Sequence, residues 1–396
     1  MVFEIHFSST LENNLKHKRG VMSEIPDMPS IVREASQKEG DVWMPIADSW
    51  REICATSSVM GREFENQQDV LENIALDLQK RGVKHILILG SGDSWFAGMA
   101  VCYAFEHYAG IAAIPIQAYE YAMYGSLIAD KNSAVVVISS SGRPTTTWDA
   151  LDRALQTESY VVGISDTDYE GNPFLEKPHA SINPSAKKLG MPAQTTTVTI
   201  GLLINLALIM GRESSFLDKD TYADLVAQLR NTPNQILGLL SSVDEVLADA
   251  AKHGALHRIH TIIGSGPNYG VAHAASALLA EGPQFTGHPM PAEEYHHALR
   301  GRTIQKGDPV LLVAPSGQGY PRVVEASSDL KALGAYVMAV VDEGEQSITS
   351  LADNSIHVPS VDEPMSPLLT LPPVQMYSLY LAAERISAGY QRPLVS

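Results

Sequence analysis

Apolar residues in the first half of the chain fall into short runs separated by stretches with helical spacing. The runs are rich in β-branched residues, which favours strands, and the stretches between them carry apolar residues every three or four positions, which favours helices. The predicted order is strand 86–89, helix 94–109, strand 114–118, a helix around 120–128, strand 134–139, helix 145–156 and strand 160–164. Alternation of this kind is typical of a parallel sheet with helices on both faces.

The second half of the chain repeats this order, with strands predicted near 259–263, 284–288, 309–314, 336–341 and 355–358. The landmarks Gly90, Gly142 and Tyr160 recur in the same order as Gly264, Gly317 and Tyr336, and the offset between the two copies is nearly the same for all three. A nearly constant offset across three landmarks indicates two copies of one domain. We therefore predict two tandem α/β domains, each with a parallel sheet flanked by helices.

Helical segments precede, join and close these two domains. Two short amphipathic helices are predicted between residues 22 and 55, with further helices at 66–80, 195–211, 221–253 and 373–389 and a last strand of the first sheet at 180–183. Residues 1–20 are polar and irregular, and we interpret them as an arm. The predicted division is an arm with helices at 1–55, a first domain at 56–215 and a second domain at 216–396.

Charge and cysteine content narrow the classes of function. The 396 residues include 28 Lys and Arg and 45 Asp and Glu, which gives a net charge of −17 at pH 7. Nucleic acids and anionic membranes bind basic surfaces, so this charge argues against both as partners. The two cysteines, Cys54 and Cys102, exclude a disulfide framework and a cysteine-rich metal site. No stretch has the features of a signal peptide or approaches a membrane span. We expect a soluble, cytoplasmic protein that binds neither nucleic acid nor membrane.

The first candidate site lies where the strand at 86–89 ends. Gly90 and Gly92 break the strand, and Asp93 and Ser94 begin a helix, so backbone amides and hydroxyls meet at a place where an anion can bind. The turn differs from a dinucleotide-binding turn, because Trp95 occupies the place of the third glycine. A small anionic sugar fits this turn better than a dinucleotide.

A run of serines follows the third strand. Ser139, Ser140 and Ser141 precede Gly142 and the next helix, so several hydrogen-bond donors converge at a second strand end. The alternative is that the run only caps the amides of the helix. We favour an anion site because Ser94 and Ser139 come from adjacent strand ends.

These two motifs on a duplicated domain resemble the sugar isomerase (SIS) family. The resemblance is carried by the turn at residues 90–94 and the segment at 138–142, and it covers roughly residues 22–392 without an amino-terminal cysteine nucleophile domain. It is greatest to the double-domain group that includes the isomerase half of glucosamine-6-phosphate synthase, amino-sugar-phosphate deaminases and fructosamine deglycases. The resemblance implies two tandem SIS domains of flavodoxin-like, three-layer architecture that bind a hexose 6-phosphate and need no cofactor.

The resemblance also implies which residues bind the substrate. They are Gly92, Asp93, Ser94, Ser139, Ser140, Ser141, Arg143 and Thr145. The family pattern is altered at three places, since Asp93 stands where threonine is usual, Ser140 replaces a glutamine, and Arg143 with Pro144 replaces a Glu-Thr pair. An aspartate beside a dianion is unfavourable unless it binds sugar hydroxyls, whereas Arg143 can form a charge-assisted contact with an acid. We expect the terminal anion of the sugar to be a phosphate or a sulfonate.

Glu281 matches the family's catalytic base. It ends the helix predicted at 271–281, and the matching base moves a proton between the carbonyl carbon and its neighbour, a task that suits a carboxylate of raised pKa. The alternative is a helix-end carboxylate without a catalytic role. The lysine expected one turn earlier is Leu278, and the family's carboxy-terminal tail with its own lysine is absent, so simple isomerisation is favoured over a synthase.

His297 matches the histidine that opens the sugar ring, because a neutral imidazole can both give and take a proton near pH 7. His296 beside it is the competing candidate. In the family this loop reaches the site of the neighbouring subunit, so the match implies a homodimer with shared active sites. A metal site formed by His288, Glu293, Glu294, His296 and His297 is disfavoured, because no His-Glu-x-x-His spacing occurs.

Two polar segments receive no firm assignment. Thr195 to Thr197 open a helix and either add a hydroxyl to the pocket or cap the helix. Lys187 and Lys188 are either part of a solvated loop or a distant anchor for an anion, and we assign them no role. Three functions remain open. They are an aldose-ketose isomerase for a six-carbon sugar with an anionic group, a deaminase or deglycase of a 6-phospho amino sugar or fructosamine, and a sugar-phosphate sensor without catalytic activity.

Overall fold

The computed structural model describes residues 26–38, 45–125, 129–143, 145–191, 193–299 and 303–390. The arm predicted at residues 1–20 lies outside these ranges. The first part of the fold comprises α1 Ser30–Ser36, α2 Ile46–Asn66, α3 Gln68–Arg81, β1 His85–Gly90, α4 Asp93–Ala109, β2 Ala112–Gln117, α5 Ala118–Tyr124, β3 Ser133–Ile138, α6 Thr146–Leu155, β4 Tyr160–Ile164, α7 Pro173–Glu176, β5 Ala180–Ile182 and α8 Gln194–Glu213. The second part comprises α9 Lys219–Leu240, α10 Asp244–Gly254, β6 Ile259–Gly264, α11 Pro267–Glu281, β7 Thr286–Met290, α12 Ala292–Glu294, a π-helical turn Tyr295–Leu299, β8 Pro309–Ala314, α13 Tyr320–Leu333, β9 Tyr336–Asp342, β10 Asn354–Val358, a 3₁₀ turn Glu363–Met365 and α14 Pro367–Ser387.

Each half forms a five-stranded sheet with the same strand order. The first sheet has the order β2-β1-β3-β4-β5 and the second the order β7-β6-β8-β9-β10. Neighbouring strands in both sheets run parallel. All six residues of β3 and all six of β8 are buried, as expected for strands covered by helices on both faces. The predicted α/β class and the predicted duplication are confirmed.

The duplication extends to the backbone of the turn that follows the first strand of each domain. Gly92 has φ 55° and ψ −130°, and Gly266 has φ 55° and ψ −131°. Residues with a side chain rarely adopt such positive φ values. A β-carbon at Gly90 or at Gly264 would overlap the backbone of the helix that follows. Both turns therefore require glycine at two positions, which accounts for the repeated Gly-Ser-Gly.

Helices α4 and α11, which follow these turns, pack against each other. Gly270 of α11 lies against the α4 backbone, where a β-carbon would clash. Glu281, at the end of α11, lines a pocket together with Gly92 of the first turn. Glu106, near the end of α4, lines another pocket together with Gly266 of the second turn. Each helix thus begins at the turn of its own domain and ends beside the turn of the other domain.

The two halves share one hydrophobic core, in which α8 packs against α2, α4 and α14. Among the described residues, α8 is the one helix that is long and apolar enough to cross a membrane by length and composition. This corrects the prediction that no segment approaches a membrane span. Its apolar window is completely buried inside the protein, so α8 is a core helix of this fold.

Three helices have other bounds than the sequence predicts. Helix α2 continues to Asn66, so the predicted boundary between residues 55 and 56 falls inside it. The helix predicted at 221–253 is two helices, because α9 ends at Leu240 and α10 begins at Asp244. Helix α14 begins at Pro367, earlier than its predicted start at Pro373, and its interior contains Pro372. It is buried on nearly every side and has no amphipathic pattern to mark its start.

Candidate active site

A polar pocket of about 150 Å³ lies at the carboxyl ends of β1, β3 and β4, where the first domain meets α11 of the second. Its polar lining consists of Ser91, Gly92, Asp93, Ser94, Ser140, Asp166, Lys188, Thr195, Thr196, Thr199 and Glu281. Crevices at the carboxyl ends of parallel strands are the usual ligand sites of open α/β sheets. The pocket is smaller than the roughly 300–1,000 Å³ sites of drug-sized ligands, so it suits a small polar metabolite.

The turn after β1 presents the start of α4 to this pocket. The first amides of a helix have no partner within the helix. Here the amides of Trp95 and Phe96 donate to the Gly92 carbonyl oxygen at 2.9 and 3.0 Å. The amides of Asp93 and Ser94 precede them at the pocket wall. The turn therefore offers amide donors and the partial positive charge of a helix start, which together suit an anion.

The serine run after β3 contributes one side chain to the pocket lining. Ser140 lines the pocket, and its carbonyl oxygen accepts hydrogen bonds from the Asp166 amide at 3.1 Å and the Ser165 hydroxyl at 3.3 Å. Ser139 is buried, and its amide donates to the Ile164 carbonyl at 2.9 Å. Ser139 thus extends the sheet, and the loop that holds Ser140 is tied to the end of the neighbouring strand.

The residues after Ser140 stabilise the loop and the helix that follows. The Ser141 hydroxyl accepts a hydrogen bond from the Arg143 amide at 3.3 Å. The Thr145 hydroxyl accepts one from the Thr147 amide at 3.3 Å and so caps α6. Both Arg143 and Thr145 are exposed. Of the predicted substrate-binding residues, Ser139, Ser141, Arg143 and Thr145 are not among those that line the pocket.

Glu281 reaches the pocket from the second domain. It is the last residue of α11, and the pocket brings it together with the predicted substrate-binding residues Gly92, Asp93, Ser94 and Ser140. Glu281 is exposed, yet partial desolvation by the surrounding protein raises its pKa, while the charge of Lys188 lowers it. A carboxylate of raised pKa is a better proton acceptor near neutral pH than an ordinary one.

Two aspartates in the pocket have strongly raised pKa values. Burial raises the pKa of Asp93 to about 7, with a further contribution from the charge of Glu281 and opposition from Lys188. Burial also raises the pKa of Asp166 to about 7, although a hydrogen bond from Ser140 stabilises its ionised form. Each aspartate is therefore partly protonated at neutral pH, and a protonated carboxyl can donate a hydrogen bond to an anion.

Lys188 is the one cationic side chain among the described residues that line the pocket. Its loop between β5 and α8 is anchored to α2, because the Glu52 carboxylate accepts hydrogen bonds from the amides of Leu189 and Gly190. The charge of Lys188 lowers the pKa values of all three pocket carboxyls. It is the residue whose charge an incoming anion would meet.

His297 lies outside this pocket within one chain. It belongs to the π-helical turn Tyr295–Leu299, its side chain is 70% exposed, and its Nε2 lies 3.1 Å from Glu293 Oε1. The side chain of His296 is 4% exposed, and its Nε2 lies 3.2 Å from the Arg322 carbonyl oxygen. Of the two histidines, His297 is thus the one that a second chain can reach. In the described ranges, no three His, Cys, Asp or Glu side chains are grouped to hold a metal ion.

The sequence analysis did not assign four of the polar lining residues to the site, namely Ser91, Asp166, Lys188 and Thr199. Asp166 directly follows the end of β4, and a polar residue at the carboxyl end of a parallel strand was the available signal. Lys188 has no comparable signal, since it lies in a loop without periodicity. Thr195 and Thr196 line the pocket, whereas the Thr197 hydroxyl donates to the backbone at the start of its own helix.

Comparisons with known proteins bear on the family and the fold. A family model described as "SIS domain" matches residues 81–210 and 257–385. The chain is 26% identical over 338 residues to a glutamine–fructose-6-phosphate aminotransferase [isomerizing] of Bacteroides thetaiotaomicron, a match that covers 83% of this chain and 53% of the relative. The chain thus spans about half the length of the curated relative it matches.

Two solved structures share the fold. The tagatose-6-phosphate ketose/aldose isomerase from Escherichia coli superposes with a TM-score of 0.68 at 15% identity, covering 87% of this chain and 94% of that one. The glucosamine-6-phosphate deaminase from Thermotoga maritima superposes with a TM-score of 0.63 at 17% identity, covering 85% and 94%. At these identities the likeness establishes the fold.

Proposed function

The chain belongs to the SIS-domain family, and from this we propose that it is an aldose-ketose isomerase acting on a hexose with an anionic group at C6. The observation that supports this most is that Glu281 of the second domain and residues 92–94 of the first domain line one pocket. A base and an anion-binding turn are then held together, so a sugar bound by its charged end is positioned for proton transfer at the other end.

The anionic group of the sugar is proposed to bind at the start of α4. The amides of Asp93 and Ser94 and the hydroxyls of Ser94 and Ser140 are the donors, and Lys188 adds a positive charge. Together these groups form the anion cradle. The loop that carries Ser139, Ser141, Arg143 and Thr145 supports this cradle, and it supplies further donors to any part of the anion that extends past the residues lining the pocket. Oriented amide and hydroxyl donors at a helix start are a common means of anion binding.

The proposed reaction passes through a cis-enediol. Glu281 removes a proton from the carbon next to the carbonyl group, the electrons of that C–H bond form a carbon–carbon double bond, and the carbonyl oxygen takes up a proton from solvent to give the enediol. The neighbouring hydroxyl then gives a proton back to solvent and becomes the new carbonyl, while Glu281 returns its proton to the former carbonyl carbon. Atoms and electrons balance without a cofactor. Desolvation, which raises the pKa of Glu281, makes this carboxylate a stronger base.

Ring opening is proposed to use His297 from a second copy of the chain. Its side chain is exposed, and within one chain it lies outside the pocket that contains Glu281. A homodimer with shared active sites brings the two together. We further propose a cytoplasmic protein with a first SIS domain that ends at 215 and a second at 216–396; the boundary predicted between 55 and 56 is not kept, because it falls inside α2.

The acidic residues of the cradle bear on the identity of the anion. When Asp93 and Asp166 are both protonated, they are neutral, and the cradle accepts a doubly charged phosphate. When either aspartate is ionised, its negative charge repels a phosphate more strongly than a singly charged sulfonate, so the cradle favours the sulfonate. We therefore propose a 6-phospho or 6-sulfo hexose as substrate.

A second candidate is supported by the charge balance of the pocket. Three carboxyls, Asp93, Asp166 and Glu281, face one cation, Lys188, and this excess of acid suits a substrate that also carries an amine. Removal of an amine from a 6-phospho amino sugar or a fructosamine uses the same base and the same anion cradle. One of the solved structures that share the fold is a glucosamine-6-phosphate deaminase.

The proposals are tested by incubating the protein in heavy water with 6-phospho and 6-sulfo aldoses, ketoses, amino sugars and fructosamines, followed by NMR. An isomerase incorporates deuterium at C1 or C2 and converts aldose to ketose without releasing ammonia. A deaminase or deglycase releases ammonia or an amino acid. Ligand binding that raises the melting temperature without any exchange would indicate a sensor and overturn the catalytic proposal.

A further inference from the structure

The second domain has a cleft of about 530 Å³ in the place that corresponds to the candidate active site. It is lined by Gly266 and Pro267 of the second turn and by Glu106, a glutamate near the end of α4, as Glu281 is at the end of α11. The clefts are thus related by the internal repeat, and each contains one domain's turn and a glutamate from the other domain's helix. The proposed function uses only the first of them.

The two clefts differ in the side chain supplied by the loop before the last helix of each domain. In the first domain this loop supplies Lys188 to the cleft, and in the second domain the loop before α14 supplies Glu363. Corresponding loops of the two domains thus present opposite charges to their clefts. The first cleft attracts an external anion, whereas the second already contains one.

The carboxylate of Glu363 lies between the turn and the loop that together form the cradle of the second domain. Its Oε2 accepts a hydrogen bond from the Gln318 amide at 3.0 Å. Its Oε1 lies against Gly317, where a β-carbon would overlap it, and 3.4 Å from the position of a β-carbon at Gly266. These two glycines are the counterparts of Gly142 and Gly92 in the cradle of the first domain. An oxyanion bound in the second cradle would need this same space.

The segment that carries Glu363 is held in place by its neighbours. The Asp362 amide donates to Gln228 Oε1 at 3.0 Å, and the Tyr108 hydroxyl donates to Asp362 Oδ1 at 2.6 Å. On the other side, the Ser366 hydroxyl donates to the Glu363 carbonyl oxygen at 2.7 Å. A carboxylate fixed in this way competes with external ligands at a high effective concentration, because little freedom is lost when it binds.

We propose that Glu363 is an internal ligand that closes a second oxyanion-binding cleft, so that each chain takes up one anion, at the first cleft. Once the carboxylate is removed, the opened cleft would take a phosphate monoester or another tetrahedral oxyanion, whose oxygens can accept the hydrogen bond that Glu363 now accepts. The inference rests on the proposed function only in taking the first cleft as an anion site.

The test is equilibrium dialysis of the full chain against radiolabelled inorganic phosphate, which counts bound anions per chain. We expect one per chain for the wild type and two for Glu363→Ala. Glu106→Ala is the matched control, because it removes a carboxylate from the same cleft without touching the cradle amide, and it should bind as many anions as the wild type. Equal counts for Glu363→Ala and the wild type, or a second anion bound by Glu106→Ala, overturn the inference.

The same counts separate this inference from the proposed function. A wild type that binds no phosphate contradicts the anion site of the first cleft, and one new anion in Glu363→Ala still supports the internal ligand.

Hydrogen-deuterium exchange of the wild type gives a measurement that needs no variant. We expect phosphate to slow exchange in peptides that contain Asp93 and to leave peptides that contain Gln318 unchanged. Slower exchange at Gln318 on phosphate addition overturns the inference.

Discussion

Glu281 and Asp93 line the same pocket although they belong to different domains of the chain, and the charge of Glu281 contributes to the raised pKa of Asp93. Their proximity follows from the packing of α4 against α11, since Asp93 begins the first helix and Glu281 ends the second. The anion cradle and the candidate base thus come from different domains. Neither half of the chain holds the site alone.

Replacing Glu281 by glutamine should abolish turnover while leaving sugar binding intact. Glutamine has nearly the same shape but cannot accept the proton, and loss of a general base reduces rates by roughly 10²–10⁴-fold. The measurement is solvent deuterium incorporation into the sugar by NMR, with binding followed by calorimetry. Glu106→Gln is the control, because Glu106 is also a glutamate near the end of a helix but lines the other cleft. Equal losses in both variants, or full turnover by Glu281→Gln, would contradict the assignment of the base.

Anion binding should weaken as the pH rises through about 7. Below this pH the Asp93 and Asp166 carboxyls are mostly protonated and neutral, and above it they are ionised and repel an anion. Sulfate is a suitable probe because its own charge is constant between pH 5 and 9. We expect the affinity for sulfate to fall roughly tenfold over that range. This corresponds to about 1.4 kcal/mol of binding free energy, the size expected for partly screened repulsion between an ionised aspartate and the anion.

Asp93→Asn separates this effect from the titration of histidines elsewhere. The amide stays neutral at every pH, so sulfate affinity should fall less between pH 6 and pH 8 in this variant than in the wild type, and the remaining fall is attributable to Asp166. A wild-type affinity that is independent of pH, or an unchanged slope in Asp93→Asn, would show that the Asp93 carboxyl does not face the bound anion.

The duplicated architecture could be predicted because the Gly-Ser-Gly turn occurs twice and the other landmarks recur at nearly the same offset. A turn that requires glycine at two positions can be recognised in the sequence. The serine run was predictable as a loop at a strand end, but not which serine faces the pocket. Ser139 continues the sheet through a hydrogen bond to Ile164, whereas Ser140 turns to the pocket. Such a choice depends on the path of the backbone after the strand, which the order of residues does not reveal.

Lys188 could not be assigned from the sequence for a different reason. Its position depends on Glu52 of α2, which accepts hydrogen bonds from the amides of Leu189 and Gly190. That contact joins segments that lie far apart in the sequence, and it belongs to no motif. The raised pKa values of the aspartates likewise come from burial, which only the folded chain defines.

Asp166 should make the protein less stable as the pH rises from about 4 to about 7. In the unfolded chain an aspartate loses its proton near pH 3.9, while in the folded protein Asp166 keeps it to about pH 7. Between these values the folded state binds more protons than the unfolded state, so the free energy of unfolding falls with rising pH and is fully reduced above pH 7. The loss attributable to this residue is about 2–4 kcal/mol.

Urea unfolding at pH 5 and pH 8 checks this expectation. Asp166→Asn keeps an acceptor for the Ala186 amide, which now donates to Asp166 Oδ1 at 3.4 Å, and should be more stable than the wild type at pH 8. Asp168→Asn is the matched control, since Asp168 is exposed on the same loop, and it should behave as the wild type at both pH values. A wild type that gains stability between pH 5 and pH 8 relative to Asp166→Asn would reverse the predicted sign.

Mixing two inactive variants should restore activity if His297 acts in the site of a second subunit. Its exposed side chain lies outside the pocket of its own chain. In a mixed dimer of Glu281→Gln and His297→Ala, one site combines an intact Glu281 from one chain with an intact His297 from the other. Random exchange of subunits makes half of the dimers mixed, with one of two sites active, so about a quarter of wild-type activity should return. His296→Ala in place of His297→Ala is the control, and as a buried residue it should reduce stability more than turnover. No recovery of activity after complete exchange of subunits would place both catalytic groups in one chain or exclude His297 from the reaction.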